Sequence, residues 1–236
     1  DGSFWIAFKN TLVLSVLNLV IGFPIPIIFA LLLNEIHNNL IKRSIQTISY
    51  LPKFISTVVA VSMIKEMCSP STGIINQILK IFGVEPIFFV NEPDWFRFIY
   101  IASDLWQFMG WNAIIYIAAL AGVDQAVYEA AMVDGAGRFK QTIHVTLPGI
   151  MPTIIVTLIL QIGRFLSLGF EKVLLLYTPM NSINSDILDT YVYRMGLQNH
   201  NFSYAAAVGL FTSVVGLILI VGSNKISKKI TGMGIY

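Results

Sequence analysis

Asp104, Gln107, Phe108 and Trp111, in the stretch SDLWQFMGWN, fall at i, i+3, i+4 and i+7. On an α-helix that spacing lines one face. A carboxylate, an amide and two aromatic rings on one stripe suit a carbohydrate: rings stack on the apolar face of a sugar, and polar groups bond its hydroxyls. A second stretch, QIGRFLSLGFEK, repeats the spacing with Gln161, Arg164, Phe165 and Leu168. Both lie within long apolar runs, where polar groups are costly and default to functional candidates. Plainer readings stand beside this one. Phe108 and Phe165 could be ordinary packing, Trp111 could face lipid or a partner subunit, and Asp104 with Arg164 could be a structural ion pair. Glu171 and Thr57 are weaker candidates. His37, His144 and His200 are scattered and make no metal site. No triad spacing or acidic cluster points to catalysis, and no GxxxxGK[ST] run offers a nucleotide site. The chain is expected to be a non-enzyme that binds no cofactor of its own.

The elements that must carry these stripes are membrane helices. The 236 residues are 56% hydrophobic and only 12% charged, with a mean hydropathy of +0.73. A soluble domain carries about 25% charged residues, so too little polar surface is left to keep this chain dissolved. A net charge of +2 provides no strong field for nucleic acid. The lone Cys68 excludes an intrachain disulfide. A span needs about 20 mostly apolar residues. Five runs qualify: Phe8 to Leu33, interrupted by Pro24 and Pro26; Ile45 to Met67; Trp95 to Val123; Ile150 to Leu176; and Tyr204 to Val221. The expected fold is therefore all-α and polytopic, a single membrane domain over residues 1–236. The chain begins at Asp1 without a basic leader region or cleavage site, and is read as a fragment.

Lys and Arg in short loops set orientation. Lys42 and Arg43, Arg138 and Lys140, and Lys225, Lys228 and Lys229 share one side if the N-terminus is outside. Glu85, Glu92, Asp94, Asp186 and Asp189 then fall opposite, with Lys80, Arg97 and Arg194 as exceptions. This places Asp1, Asn76 and Asn184 outside and the C-terminus in the cytoplasm. The outer loops carry structure of their own. Ile74, Ile75, Ile78, Leu79 and Phe82 recur at helical spacing, as in a short helix lying in the membrane interface. The polar loop from Asn181 to Tyr204 interleaves Tyr191, Tyr193 and Tyr204, residue types often found at that interface.

One inner segment is conspicuous: YEAAMVDGAGRFKQTIHVTLPG, from Tyr128 to Gly149. Ordinary connections run about 4–6 residues. This one is long, charged and helix-forming on both sides of DGAG, so it reads as a knob of two short helices. A small residue at Gly135 would let them approach closely. Leu147-Pro148 should stop the second helix before the next span begins. The knob's charges require a polar partner on the cytoplasmic side.

This segment resembles the EAA loop of binding-protein-dependent ABC importer permeases, whose motif reads EAA, three residues, G, nine residues, I, one residue, LP. Glu129-Ala130-Ala131, Gly135, Val145 and Leu147-Pro148 stand at those spacings, with Val145 in place of Ile. The resemblance extends along most of the chain. FKNTLVLSVLNLVIGFPIPIIFALLLNEI and SYLPKFIS are similar to the first core spans of carbohydrate-uptake permeases. GFEKVLLLY and DTYVYRMGL resemble the subgroup handling complex oligosaccharides, close to maltose-transporter membrane subunits.

The resemblance implies a type I importer (MetI-like) permease fold, preceded in most members by one further span. It implies that residues 124–149 are the coupling loop seated on a cytoplasmic ABC ATPase dimer, which itself uses ATP and Mg. It also implies a second homologous permease, an extracytoplasmic solute-binding protein, an oligosaccharide cargo, and a bacterial cell membrane for both the chain and its lipid. Substrate-lining positions fall, by the same resemblance, on Asp104, Gln107, Phe108 and Trp111 and on Gln161, Arg164 and Phe165, although the side chains differ from the maltose pattern. An ABC permease for a non-sugar or anionic solute is the alternative. An ion-coupled secondary transporter would show paired repeats, and none is visible.

Overall fold

The computed structural model describes residues 2–232 and 234; Asp1, assigned above to the outer side, lies outside them. Fourteen α-helices follow in order, with no strand among the described residues. Residues Gly2 to Asn34 form one continuous helical rod of 33 residues. Within it, α1 (Gly2–Leu17) passes through a π-helical turn, Asn18–Gly22, into α2 (Pro24–Asn34). Proline has no N–H and its ring crowds the carbonyl four residues back. The wide turn absorbs this just ahead of Pro24, through a bond from the Phe23 N–H to the Asn18 carbonyl at 2.9 Å. The same device recurs at Thr142–Thr146, ahead of Pro148.

The second expected span is not one helix. α3 (Asn39–Tyr50) runs into a single 3-10 turn, Leu51–Phe54, and then α4 (Thr57–Met67) leaves at 100°. Pro52 sits in that turn, Ile55 is extended, and the Ser56 hydroxyl caps α4 by accepting from the Val59 N–H. Proline plus a fresh N-cap ends one helix and starts another. The short helix α5 (Ile74–Ile81) forms where the periodicity placed it. Ile75 and Leu79 pack inward, whereas Ile74, Ile78 and Phe82 stay exposed.

α6 (Pro93–Ala121) is the longest central element at 29 residues, opened by Pro93 in its first turn. α3 crosses it closely, because a Cβ on Gly110 would meet the Ser49 carbonyl oxygen at 2.3 Å. The knob follows as α7 (Gln125–Val133) and α8 (Arg138–Gln141). Contrary to the sequence expectation, Leu147-Pro148 does not stop the second helix. The chain stays helical through the π turn and α9 (Leu147–Gly149), then bends by 61° into α10 (Met151–Gly163).

The fourth span is also shorter than expected. α10 ends at Gly163, the chain unwinds to Gly169, and α11 (Phe170–Leu176) resumes. Two short helices, α12 (Ser182–Ser185) and α13 (Leu188–Tyr193), and a π turn lead to α14 (Phe202–Thr231). Two helical rods, Gly2–Asn34 and Phe202–Lys229, are each long and apolar enough to cross a membrane. Three bent pairs bring the total to five if each counts as one span.

Large apolar side chains such as Val20, Leu32, Leu210, Leu217 and Ile218 are exposed along these rods. Apolar exposure on that scale fits a lipid solvent and not water. Inside, one core cluster gathers Leu14, Phe96, Tyr100, Val173 and Ile187, and another gathers Ile27, Ala30, Ala113, Tyr116 and Ile150. Along α6 the two clusters are separated by residues 102–112. Buried polar groups stitch the segment after α11 to the rest. Asn181 donates to the Val90 and Leu176 carbonyls, and Asn10 donates to those of Ile183 and Asp186. The amide of Asn76 is likewise buried, bonding Cys68, Ser69 and Ile87. Cys68 is buried and free.

Candidate functional site

The middle stretch of α6 faces a cavity of about 320 Å³, lined also by α2, α10 and the first π turn. Asp104, Phe108 and Trp111 line it, together with Asn112 and Tyr116 from the same helix. Gln161 closes the opposite wall and donates to Asn18 Oδ1 at 3.1 Å. The hydroxyls of Tyr116 and Thr157 are hydrogen-bonded at 3.0 Å. A smaller recess of about 150 Å³ adjoins it, sharing Asp104, Asn18 and Gln161 and adding Arg164, Phe165, Ser15 and Tyr100. Of the eight stripe residues, seven therefore line these two adjoining recesses. Gln107 does not. Its side chain is buried and donates to the Ile55 carbonyl at 3.0 Å, while its Oε1 has no protein partner. It faces the break between α3 and α4 and not the cavity.

The second stripe is not a helical face throughout. Arg164 and Phe165 lie beyond the end of α10, in turns closed by bonds to the Gln161 and Ile162 carbonyls. Gly163 and Gly169 bracket this unwound stretch. The freed Phe165 carbonyl accepts from the Ser15 hydroxyl, and the Gly169 N–H donates to the Tyr100 hydroxyl at 3.3 Å. Irregular backbone at membrane depth is tolerated where it lines a cavity; here it lines the smaller recess.

Asp104 and Arg164 do not form the ion pair that the sequence left open. Asp104 pairs instead with Lys172 of α11, at 2.9 Å, with the Lys172 side chain 4% exposed and Asp104 29%. Lys172 reaches Asp104 because the unwound segment turns α11 back onto α6. The Lys172 ammonium also lies 4.9 Å from the centroid of the Phe108 ring, and the Lys53 ammonium 4.4 Å from it. Neither lysine stood out in the sequence. Lys53 was hidden beside Pro52, inside what reads as one span. Asn10, Thr11, Ser15 and Asn18 were also passed over, although they recur at helical spacing on one side of an apolar rod. Glu171 is exposed at the start of α11, and Thr57 opens α4. The three histidines remain apart, and no group of metal-ligating side chains occurs among the described residues.

At the knob, Asp124 caps α7 by accepting from the Ala126 N–H, and the Tyr128 hydroxyl donates to Thr146 across the fold at 2.9 Å. Gly135 has φ +75°. The Ala136 N–H bonds the Ala131 carbonyl and the Gly135 N–H bonds that of Met132, a Schellman closure of α7. A Cβ at Gly135 would meet nothing within 4 Å. Its smallness is therefore not needed for helix approach, as expected above; its left-handed backbone is what the turn needs. Glu129, Ala130 and Pro148 are exposed, Ala131 and Leu147 are half-buried, and Met132, Val133 and Phe139 present apolar surface.

The comparisons agree with this architecture. Residues 22–232 match the model of the family described as binding-protein-dependent transport system inner membrane component. The chain is 48% identical to Protein LplB of Bacillus subtilis, over 99% of this chain and 73% of that protein. It is also 48% identical to the polygalacturonan/rhamnogalacturonan transport system permease protein YteP of Bacillus subtilis, over 100% and 74%. A chain in the crystal structure of a bacterial alginate ABC transporter, in complex with alginate pentasaccharide-bound periplasmic protein, superposes with a TM-score of 0.97. The two chains are 42% identical, covering 100% of this chain and 82% of that one. The fold is that of an importer permease and the protein is a multi-pass membrane transport component: the chain belongs to the family of binding-protein-dependent transport system inner membrane components.

Proposed function

We propose that this chain is one permease subunit of an ATP-driven importer for oligosaccharides or polysaccharide fragments. It forms half of the pathway with a second, homologous permease. The observation that carries the reading is the pair of adjoining recesses between the apolar helices, which share Asn18, Asp104 and Gln161. Their walls combine rings (Phe108, Trp111, Tyr116) with amides (Asn18, Asn112, Gln161). Rings and hydrogen-bonding groups together match the two faces of a sugar. The carbohydrate cargoes in the names of the relatives support the same class.

ATP and Mg act on a separate cytoplasmic ATPase dimer. The knob from Asp124 to Gly149, with Glu129, Ala130, Ala131, Gly135, Leu147 and Pro148 in its motif, seats on that dimer. Its exposed Met132, Val133 and Phe139 supply the apolar part of the contact. A loaded solute-binding protein docks on the outer face, ATP draws the two knobs together, and the recess opens outward to take the sugar. Hydrolysis returns it inward. This requires the N-terminal side of α1 to be outside and Arg138 to be cytoplasmic, in a bacterial cell membrane. A cysteine at position 138, with Cys68 replaced, should resist an impermeant thiol reagent in intact cells; labelling there would overturn the orientation.

The function is tested by reconstituting the complete transporter in liposomes with its cognate solute-binding protein. ATP-dependent accumulation of labelled oligosaccharide is expected. Accumulation of amino acids or peptides, with no saccharide of any length, would overturn the reading.

A further inference from the structure

The unwound stretch between α10 and α11 is held by hydrogen bonds from three different elements. At its start the chain is pinned to α14, where a Cβ on Gly163 would meet the Ile220 side chain at 2.3 Å. The N–H groups of Arg164, Phe165 and Ser167 then bond the carbonyls of Gln161, Ile162 and Arg164, in tight turns. The N–H groups of the next two residues leave these turns. That of Leu168 goes to the Asp189 carboxylate of α13, and that of Gly169 goes to the Tyr100 hydroxyl of α6 at 3.3 Å. From α1, the Ser15 hydroxyl donates to the Phe165 carbonyl.

Asp189 reaches this stretch from outside the candidate pathway. It lines two further recesses, of about 360 Å³ and 350 Å³, but neither of the two that form the pathway wall. Arg164, Ser167 and Leu168 stand between, each lining the smaller pathway recess and at least one of Asp189's. The footing of Asp189 is rigid. Leu188 beside it is fully buried, and its N–H donates to Thr11 Oγ1 of α1 at 2.9 Å. Asn10, also on α1, donates to the Asp186 carbonyl at 3.1 Å. Asp186, just before α13, is paired with Arg194, whereas Asp189 has no ion pair among the described residues. A half-buried carboxylate with no cation costs stability. What it supplies here is an acceptor for a backbone N–H that the unwound stretch would otherwise leave without a partner.

We infer that Asp189 is a positioning residue for transport: as the acceptor for the Leu168 N–H it fixes the unwound stretch, and so sets where Arg164 and Phe165 stand in the wall of the smaller recess. It acts through the stretch and not on the cargo. Its role in transport rests on the reading of the two recesses as the sugar pathway; the tether itself does not.

The test separates the two. In the complete transporter, with Cys68→Ala, nitroxide labels at Ser167→Cys and Asn199→Cys, both exposed positions, report the distance from the stretch to the segment after α13. The distance distribution should be narrow with Asp189 in place, and also with Asp189→Asn, which keeps an acceptor oxygen. It should broaden or shift with Asp189→Leu, which has none. In liposomes with the cognate solute-binding protein, Asp189→Leu should lower uptake of the labelled oligosaccharide that wild type accumulates at least about tenfold, the effect of one charge-assisted bond, and Asp189→Asn should recover most of it. The concentration of loaded binding protein that half-saturates uptake should stay within about twofold in both. Where Asp189→Leu does not reach the membrane, Asp189→Ala carries the same comparison. An unchanged distance distribution in the variants without an acceptor would overturn the tether. The positioning role would be overturned by undiminished uptake in those variants, by a loss in Asp189→Asn as deep as in Asp189→Leu, or by a defect confined to half-saturation by the binding protein. If wild type accumulates no saccharide, the carbohydrate reading falls and the transport role with it, while the distance distribution still decides the tether.

Discussion

The knob and the membrane cavity are built by opposite means. The knob is local: its cap, its left-handed glycine and its closing bonds all join residues within about one helical turn of each other. Its one longer tie, from Tyr128 to Thr146, still spans only 18 residues. The cavity is non-local. Asp104 meets Lys172 across 68 residues, and Gln161 meets Asn18 across 143. The knob presents exposed apolar side chains on short helices, a surface suited to being held by something else. The cavity buries polar groups between helices that are broken at Leu51–Thr57 and Arg164–Gly169 and widened by a π turn at Asn18–Gly22. A contact made with a partner can be encoded in a short run of sequence. A hydrophilic path through lipid has to be assembled from distant pieces, and each break in a helix is what lets a polar group turn inward.

That contrast predicts that breaking the buried ion pair beside the cavity will be felt as instability first and damage to the knob as uncoupling. The largest effect is expected at Asp104→Asn. It leaves the Lys172 ammonium, only 4% exposed, without its carboxylate. Orphaning one member of a buried pair costs about 3–5 kcal/mol, and the partial exposure of Asp104 places this case toward the lower end. Purified Asp104→Asn permease should unfold at a clearly lower temperature than wild type. The double variant Asp104→Asn with Lys172→Met should recover most of the loss, since the apolar stem refills the site. Equal melting of Asp104→Asn and wild type would show that the pair carries no stability.

At the knob, Gly135→Val should leave the fold in place and remove the function. No atom of this chain lies near the missing Cβ, but an L-residue in the left-handed region costs about 1–2 kcal/mol and a β-branched one is the least tolerant. Coupled uptake should fall about tenfold or more at normal membrane levels. Gly135→Asn separates two causes, because asparagine accepts positive φ. Recovery with asparagine assigns the loss to backbone. Failure as deep as that of valine assigns it to a close contact with another subunit. Full coupled uptake by Gly135→Val would break the assignment of the knob as the coupling element.

The same contrast explains what could be read in advance. The knob's motif, its helices and its glycine hinge were legible because their determinants are contiguous, though the reason for Gly135 was misjudged: packing was expected where φ is the constraint. The five apolar runs were legible from composition. Their interruptions were not. Pro52 and Gly163 each sit inside an acceptable span, and hydropathy sums across a break without registering it. Losing the breaks meant losing Lys53 and Lys172, whose positions over Phe108 depend on them. It also carried the α10 stripe past Gly163, into residues that are no longer helical. Gln107 fell on the right helical stripe, but its neighbour turned out to be the Leu51–Thr57 break, which no periodicity in α6 can reveal.

The smallest effect is the sharpest discriminator between lining and packing. Gln107 and Gln161 are the same residue type in two stripes of the same spacing, but Gln161 lines both recesses and Gln107 is buried against Ile55. Gln161→Met removes one hydrogen-bonding group from the pathway wall, worth about 1 kcal/mol, or roughly fivefold in transport of the cognate sugar. Its melting temperature should stay close to wild type, because the bond it loses, to Asn18, is solvent-facing. Gln107→Met removes the bond to the Ile55 carbonyl but also the buried Oε1 that no protein group satisfies. The two terms oppose each other, so stability should move by less than about 1 kcal/mol, and transport should change by less than about twofold. Measured side by side, the pair isolates the role of the cavity wall from the role of the break. A larger transport defect in Gln107→Met than in Gln161→Met would mean that the sugar path runs along the Leu51–Thr57 break and not through the cavity beside Trp111.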